Sequence, residues 1–279
     1  MTEPTKPKAW ANVLAKAWGN QFPVDVRQIA IEYSQVRYKD EPIGEIVEAD
    51  VGDSFEGCLA YAPNRKEWLI LYNPSISPPR RVNFTLAHEL GHYLVHRQLR
   101  DMFQCSQRNL IGFGGGEIGR DIEQEANEFA SFLLMPANDF RAQTDGNEIS
   151  IDLLDHCADR YEVTLTAAAL KWLDVTREKA MLVVSRDQFI LWSRSSNPAF
   201  SSYIYFRSGT PVPERSLTYH SRAEPRQAMD GFNIPAGVWH PNAPVKEYLI
   251  ISDRYDMTIT LLVFPKSADT NHIKVSGFE

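Results

Sequence analysis

The sequence predicts an α+β fold: a mainly helical N-terminal part gives way to a β-rich C-terminal part near residue 176. Three observations predict it. Before that point, apolar residues recur at helical spacing in several segments. Only two short runs there read as strands, 55–61 and 67–72, joined as a hairpin by the turn-forming Pro63-Asn64-Arg65. Beyond Thr176, the runs 181–184, 189–192, 203–206, 248–251 and 258–264 are rich in aromatic and β-branched residues. The expected division is 1–145 for a first domain, 146–176 for a helical segment and 177–279 for the β-rich domain.

The helices follow in order. Residues 8–18 place Trp10, Val13, Leu14 and Trp18 on one stripe. A second helix begins after Pro23 and runs to Tyr33, carrying Val26, Ile29 and Ala30. Ser77-Pro78-Pro79 is a helix-start signal, because serine can cap and proline is tolerated in the first turn. That helix spans 80–96. The glycine-rich stretch 112–116 lacks the strand and spacing of a phosphate-binding loop and reads as a surface connection. A further helix spans 120–134 and stops at Pro136. Residues 150–173 read as helix, break, helix, with the break near Tyr161-Glu162-Val163 and Thr164 capping the second helix.

Composition narrows the class. The chain has 279 residues, 43% hydrophobic and 23% charged, an ordinary globular balance. A net charge of −7 argues against a protein dominated by phosphate contacts. The N-terminus, MTEPTKPKAW, has no apolar run of signal type, and no run approaches the ~20 residues that span a bilayer. A cytoplasmic protein is expected. Cys58, Cys105 and Cys157 are sparse and unpaired by spacing, which fits free thiols that serve as packing residues.

One motif carries chemistry. Within FTLAHELGHYLVH, His88 and His92 are four residues apart, so both imidazoles share a helix face and can converge on one Zn²⁺. Glu89 follows the first histidine and can act as general base toward a water on the metal. Gly91 costs about 1 kcal/mol of helix propensity, which makes sense if another element approaches closely there. His96 continues the row, but in a straight helix it lies ~12 Å along the axis from His88. It is read as a helix-end residue near the carbonyl dipoles.

The third ligand is expected from the acidic helix DIEQEANEFASFLLMP. With Ile122, Ala126, Phe129, Ala130 and Leu133 buried, Glu123 and Glu125 fall on opposite margins, and periodicity does not choose between them. Asn127, four residues after Glu123, could hydrogen-bond a ligand imidazole and so favours Glu123. No cysteine adjoins the motif, so three protein ligands and an open position are expected.

The stretch FTLAHELGHYLVH followed by EQEANEFASFLLMP resembles the ImmA/IrrE family of metallopeptidases over roughly residues 55–140. The resemblance implies a zincin-like N-terminal domain, a helix-turn-helix-like segment behind it and, in longer members, a GAF-like C-terminal sensor domain. It implies Zn²⁺, with Mn²⁺ as an alternative in activity. His88 and His92 match the histidine ligands, Glu89 the catalytic acid and Glu123 the acid ligand. It also implies a helix-turn-helix repressor as substrate, whose cleavage derepresses stress-response or mobile-element genes.

Direct DNA binding is not expected. Between residues 150 and 174, Asp152, Asp155, Asp159, Glu162 and Asp174 face only Arg160 and Lys171. In the β-rich domain, Trp192, Trp239 and Tyr248 would line any small-molecule or signal site, although strand aromatics are usually core. The competing reading is a non-enzymatic regulator with structural zinc, acting by protein or DNA binding.

Overall fold

The computed structural model describes residues 4–19, 21–49, 56–74, 79–105, 117–220, 230–252 and 257–268. Helix α1 (Pro7–Trp18) starts on a proline and ends at Gly19, whose φ of 81° closes the last turn. Its buried stripe is Trp10, Ala11, Leu14 and Ala15. Val13, expected on that stripe, is exposed. Helix α2 (Val26–Arg37) is capped by Asp25, whose carboxylate accepts from the Gln28 amide at 3.0 Å.

A four-stranded sheet follows, in the order β1-β3-β2-β4. Strands β2 (Gly57–Ala62) and β3 (Glu67–Tyr72) form the expected antiparallel hairpin. Two strands were not anticipated. Strand β1 (Ile43–Glu48) runs parallel to β3, and its acidic residues mask its period. Strand β4 (Met102–Cys105) pairs antiparallel with β2 between the helices expected at 80–96 and 120–134.

Helix α3 (Pro79–Gly91) does not continue as an α-helix to His96. It widens into a π-turn over His92–His96, a distortion common at functional sites. Helix α4 (Glu117–Leu134) buries Ile122, Ala126, Phe129, Ala130 and Leu133, the stripe read from its period. It packs against both α1 and α3. Helices α5 (Ala137–Thr144), α6 (Ile151–Tyr161) and α7 (Leu165–Val175) complete the helical part. The Ser77 cap and the glycine-rich 112–116 stretch lie outside the described residues.

The chain divides into two compact units, Met1–Asp139 with Ala158–Thr164, and Phe140–Cys157 with Leu165–Glu279. The second holds an antiparallel sheet in the order β6-β5-β9-β8-β7, from β5 (Lys179–Arg186), β6 (Phe189–Ser195), β7 (Phe232–Ile234), β8 (Val245–Ser252) and β9 (Met257–Phe264). Its core includes Met181, Val183, Trp239, Val245 and Leu262.

The expected strand at 203–206 is absent. A short helix (Asn197–Ser201), capped by Ser196, feeds into Tyr203 at φ 55°, which breaks an extended run. The segment is instead tied to β6 by serine hydroxyls. Ser195 donates to the Ile204 carbonyl at 2.6 Å and Ser193 to the Phe206 carbonyl at 2.8 Å. Trp239 and Tyr248 are buried. The structure is mixed α+β, and no described helix is long and apolar enough to cross a membrane.

Candidate metal centre

Helix α3 carries His88 and Glu89, and the π-turn begins at His92, so the motif spans the change of helix type. All three side chains are fully buried. Gly91 lets α4 come close. A Cβ there would sit 3.0 Å from Phe129 Cδ1 and 3.2 Å from Ala126 Cα. That close approach delivers Glu123. One Glu123 oxygen is 3.3 Å from His88 Nε2 and the other is 3.4 Å from His92 Nε2. The two Nε2 atoms are 3.0 Å apart. Glu125 is not brought to this point.

The hydrogen bonds on the far sides of the rings fix what these atoms can do. His88 Nδ1 lies 2.9 Å from Asn127 Oδ1. An amide oxygen only accepts, so Nδ1 carries the proton and Nε2 presents a lone pair. For His92 the chain is longer. His96 Nε2 is 2.8 Å from a Glu125 oxygen and donates to that carboxylate. Its Nδ1 therefore accepts from His92 Nδ1 at 3.1 Å, and His92 Nε2 is left with a lone pair. His96 is thus a buried partner of His92 and not a residue that merely faces helix-end carbonyls. Glu125 serves His96.

Two lone pairs and a carboxylate therefore face one another at about 3 Å. The fit to a cation can be tested on these distances. Ligands ~2.0–2.1 Å from a tetrahedral Zn²⁺ stand about 3.3 Å from each other. The N···N and N···O separations here are 3.0, 3.3 and 3.4 Å, so the residues fit such an ion. One Glu123 oxygen and both Glu89 oxygens are buried without a hydrogen-bond partner in acceptable geometry. Such orphaned acceptors are costly unless something positive completes the site.

The residues respond to one another electrostatically. Burial pushes the Glu89 carboxyl up to about 7, assisted by the charge of Glu123 and opposed by His88 and Cys105. Burial also raises Glu123, but its bonds to His88 and His92 prevail and hold it at about 2. Burial lowers His92 to about 3. Burial acts in the same direction on His88, yet Glu123, Glu89 and Asn127 outweigh it and raise it above the usual value.

Sequence reasoning missed three contributors. Cys105 is not a mere packing residue. Its Sγ is 3.1 Å from His88 Nε2, and it joins His88, His92 and Glu123 in a group whose ligand atoms all lie within 4.8 Å of one another. Phe103, two residues earlier and so on the same face of β4, stacks on His92 with centroids 4.7 Å apart. Gly57 on β2 makes room for Glu89, because a Cβ there would fall 2.5 Å from Glu89 Oε1. The alternation Met102-Phe103-Gln104-Cys105, exposed and buried in turn, was the available signal. Cys58 and Cys157 are buried free thiols.

Residues 45–173 match the family described as the IrrE N-terminal-like domain, a peptidase family. Over that span the chain resembles the peptidase domain of the ImmA/IrrE family. The matched span contains both elements of the centre, α3 with its π-turn and α4, together with β4 and α6. No curated protein sequence matches the chain. Among solved structures, a Mycobacterium tuberculosis transcriptional regulator is similar over 92% of this chain and 76% of its own, with a TM-score of 0.58 and 14% identity. At that identity the likeness concerns the fold alone. The geometry explains why HELGH and EQEAN occur as a pair: each supplies part of one cluster.

Proposed function

We propose that the protein is a zinc-dependent endopeptidase that cleaves a helix-turn-helix transcriptional repressor. The observation that carries the reading is the convergence of the His88 and His92 lone pairs and the Glu123 carboxylate, with Glu89 buried beside them. An ion held by His88, His92 and Glu123 would supply Lewis acidity toward a scissile carbonyl and lower the pKa of a water to about 7. Mn²⁺ is the alternative ion.

The chain's own residues do the rest. Asn127 and the His96–Glu125 pair hold both imidazoles in the ligating tautomer. Glu89, fully buried next to the first histidine of the cluster, is placed to take a proton from the attacking water and return it to the leaving amine. The Gly57 and Phe103 contacts keep Glu89 and His92 in place.

The repressor substrate rests on the family and on the acidic surface of residues 150–174, which favours a protein partner over DNA. A cytoplasmic setting suits that substrate. The five-stranded antiparallel unit is inferred to be a GAF-like sensor that takes a small-molecule signal; its single sheet supports this, while the burial of Trp239 and Tyr248 removes both from any exposed site.

One observation favours a second reading. Cys105 adds a fourth donor, and four protein ligands are the mark of structural zinc in a non-enzymatic regulator. Incubation with helix-turn-helix proteins encoded beside the gene, with Zn²⁺, with Mn²⁺ or with chelator, followed by mass spectrometry, separates the two. The peptidase reading expects metal-dependent fragments of one partner. Intact partners under all conditions, with zinc stoichiometrically bound, would favour the regulator.

A further inference from the structure

The fourth donor of the cluster has no part in the hydrolytic scheme. Cys105 ends β4, pairs in register with Gly57 and is fully buried. Buried cysteines usually pack against apolar groups. This one faces His88 Nε2 at 3.1 Å and belongs to the same 4.8 Å group as His92 and Glu123. The buried Glu89 carboxylate lies beside the same thiol and against the Gly57 position. A neutral thiol has one weak proton to offer, against at least four acceptor atoms crowded here. As a metal ligand, the same sulfur completes a tetrahedral N₂OS set. A sulfur bonded at ~2.3 Å and a nitrogen at ~2.0–2.1 Å stand about 3.5 Å apart around a tetrahedral ion, so the observed 3.1 Å needs only a small adjustment.

We propose that Cys105 is the fourth protein ligand of the ion and fills the coordination position that hydrolysis needs open. The protein at rest is then a latent peptidase, competent only when the Cys105 side chain leaves the metal. This rests on the metal reading above.

The test uses the full chain loaded with Co²⁺. The wild-type protein is expected to show a sulfur-to-cobalt charge-transfer band in the near ultraviolet. Cys105→Ser is expected to bind one equivalent of cobalt without that band, while Cys58→Ser and Cys157→Ser keep it. X-ray absorption of the wild-type zinc form, which needs no variant, is expected to show one sulfur at ~2.3 Å. Acetohydroxamate probes the open position directly: it is expected to alter the visible cobalt spectrum of Cys105→Ser and not that of the wild type. If the open form is about a tenth of the resting population or less, Cys105→Ser binds the hydroxamate at least roughly tenfold more tightly.

Stoichiometric cobalt or zinc in the wild type with no sulfur signature would overturn Cys105 as a ligand and leave the metal reading intact. Equal hydroxamate affinity in the two proteins would overturn the latency. Failure of the wild type to bind either ion would sink both readings.

Discussion

Each imidazole at the centre has a ring nitrogen committed elsewhere, and that commitment decides what the other nitrogen can do. His92 is held through His96 by Glu125. Glu125→Ala removes the acceptor, so His96 no longer needs its proton on Nε2 and His92 loses its fixed tautomer. The expected result is a ~10–100-fold loss of zinc affinity by chelator competition, with no ligand removed. An unchanged affinity would show that the relay is only a structural contact. At this scale the sequence was partly legible. The spacing of His88, Glu89 and His92 placed them, and Asn127 marked the side of α4 that faces His88. The His92–His96–Glu125 chain was not legible, because it depends on the π-turn and on the approach of α4. Cys105 was missed because strand pairing, not spacing along a helix, brings it to the site.

Between elements, the centre depends on how closely α3 and α4 approach. Gly91→Ala sets two effects against each other. Alanine gains about 1 kcal/mol of helix propensity. Its Cβ, however, would press on Phe129 at 3.0 Å and on the backbone of Ala126 at 3.2 and 3.3 Å. Helix backbone cannot yield as a flexible side chain does, and overpacking costs about 1–3 kcal/mol. A net destabilisation of up to about 2 kcal/mol in urea unfolding is expected, together with weaker zinc binding because Glu123 is pushed back. A stabilised variant would contradict this account of the helix contact. Long periodic elements such as α4 were legible because their buried stripe is complete. The short edge strand β4 and the 203–206 segment were not, since four residues carry little period and serine side chains can replace a ladder.

For the whole molecule, the two compact units predict different responses to metal. The centre lies entirely in the unit formed by Met1–Asp139 with Ala158–Thr164. Free zinc at 100 times its Kd adds about 2.7 kcal/mol to the stability of a unit that binds it only when folded. Calorimetry with and without chelator should lower the transition of that unit and leave the five-stranded unit unmoved. A uniform shift of both would show that the ion, or the coupling, is not confined as the structure places it. The strands of the second unit begin at Lys179, close to the change of texture in the sequence, whereas the division into compact units falls earlier, within α5 and α6.

The central claim is that a metal-dependent peptidase operates here with Glu89 as its proton-transfer group. The most direct measurement compares wild type and Glu89→Gln on the partner found to be cleaved, with the metal content of each determined in the same samples. Glutamine keeps the volume but cannot take the proton. The account predicts equal zinc and a fall in cleavage rate of about 10²–10⁴-fold. Cleavage at an unchanged rate by zinc-loaded Glu89→Gln would contradict it.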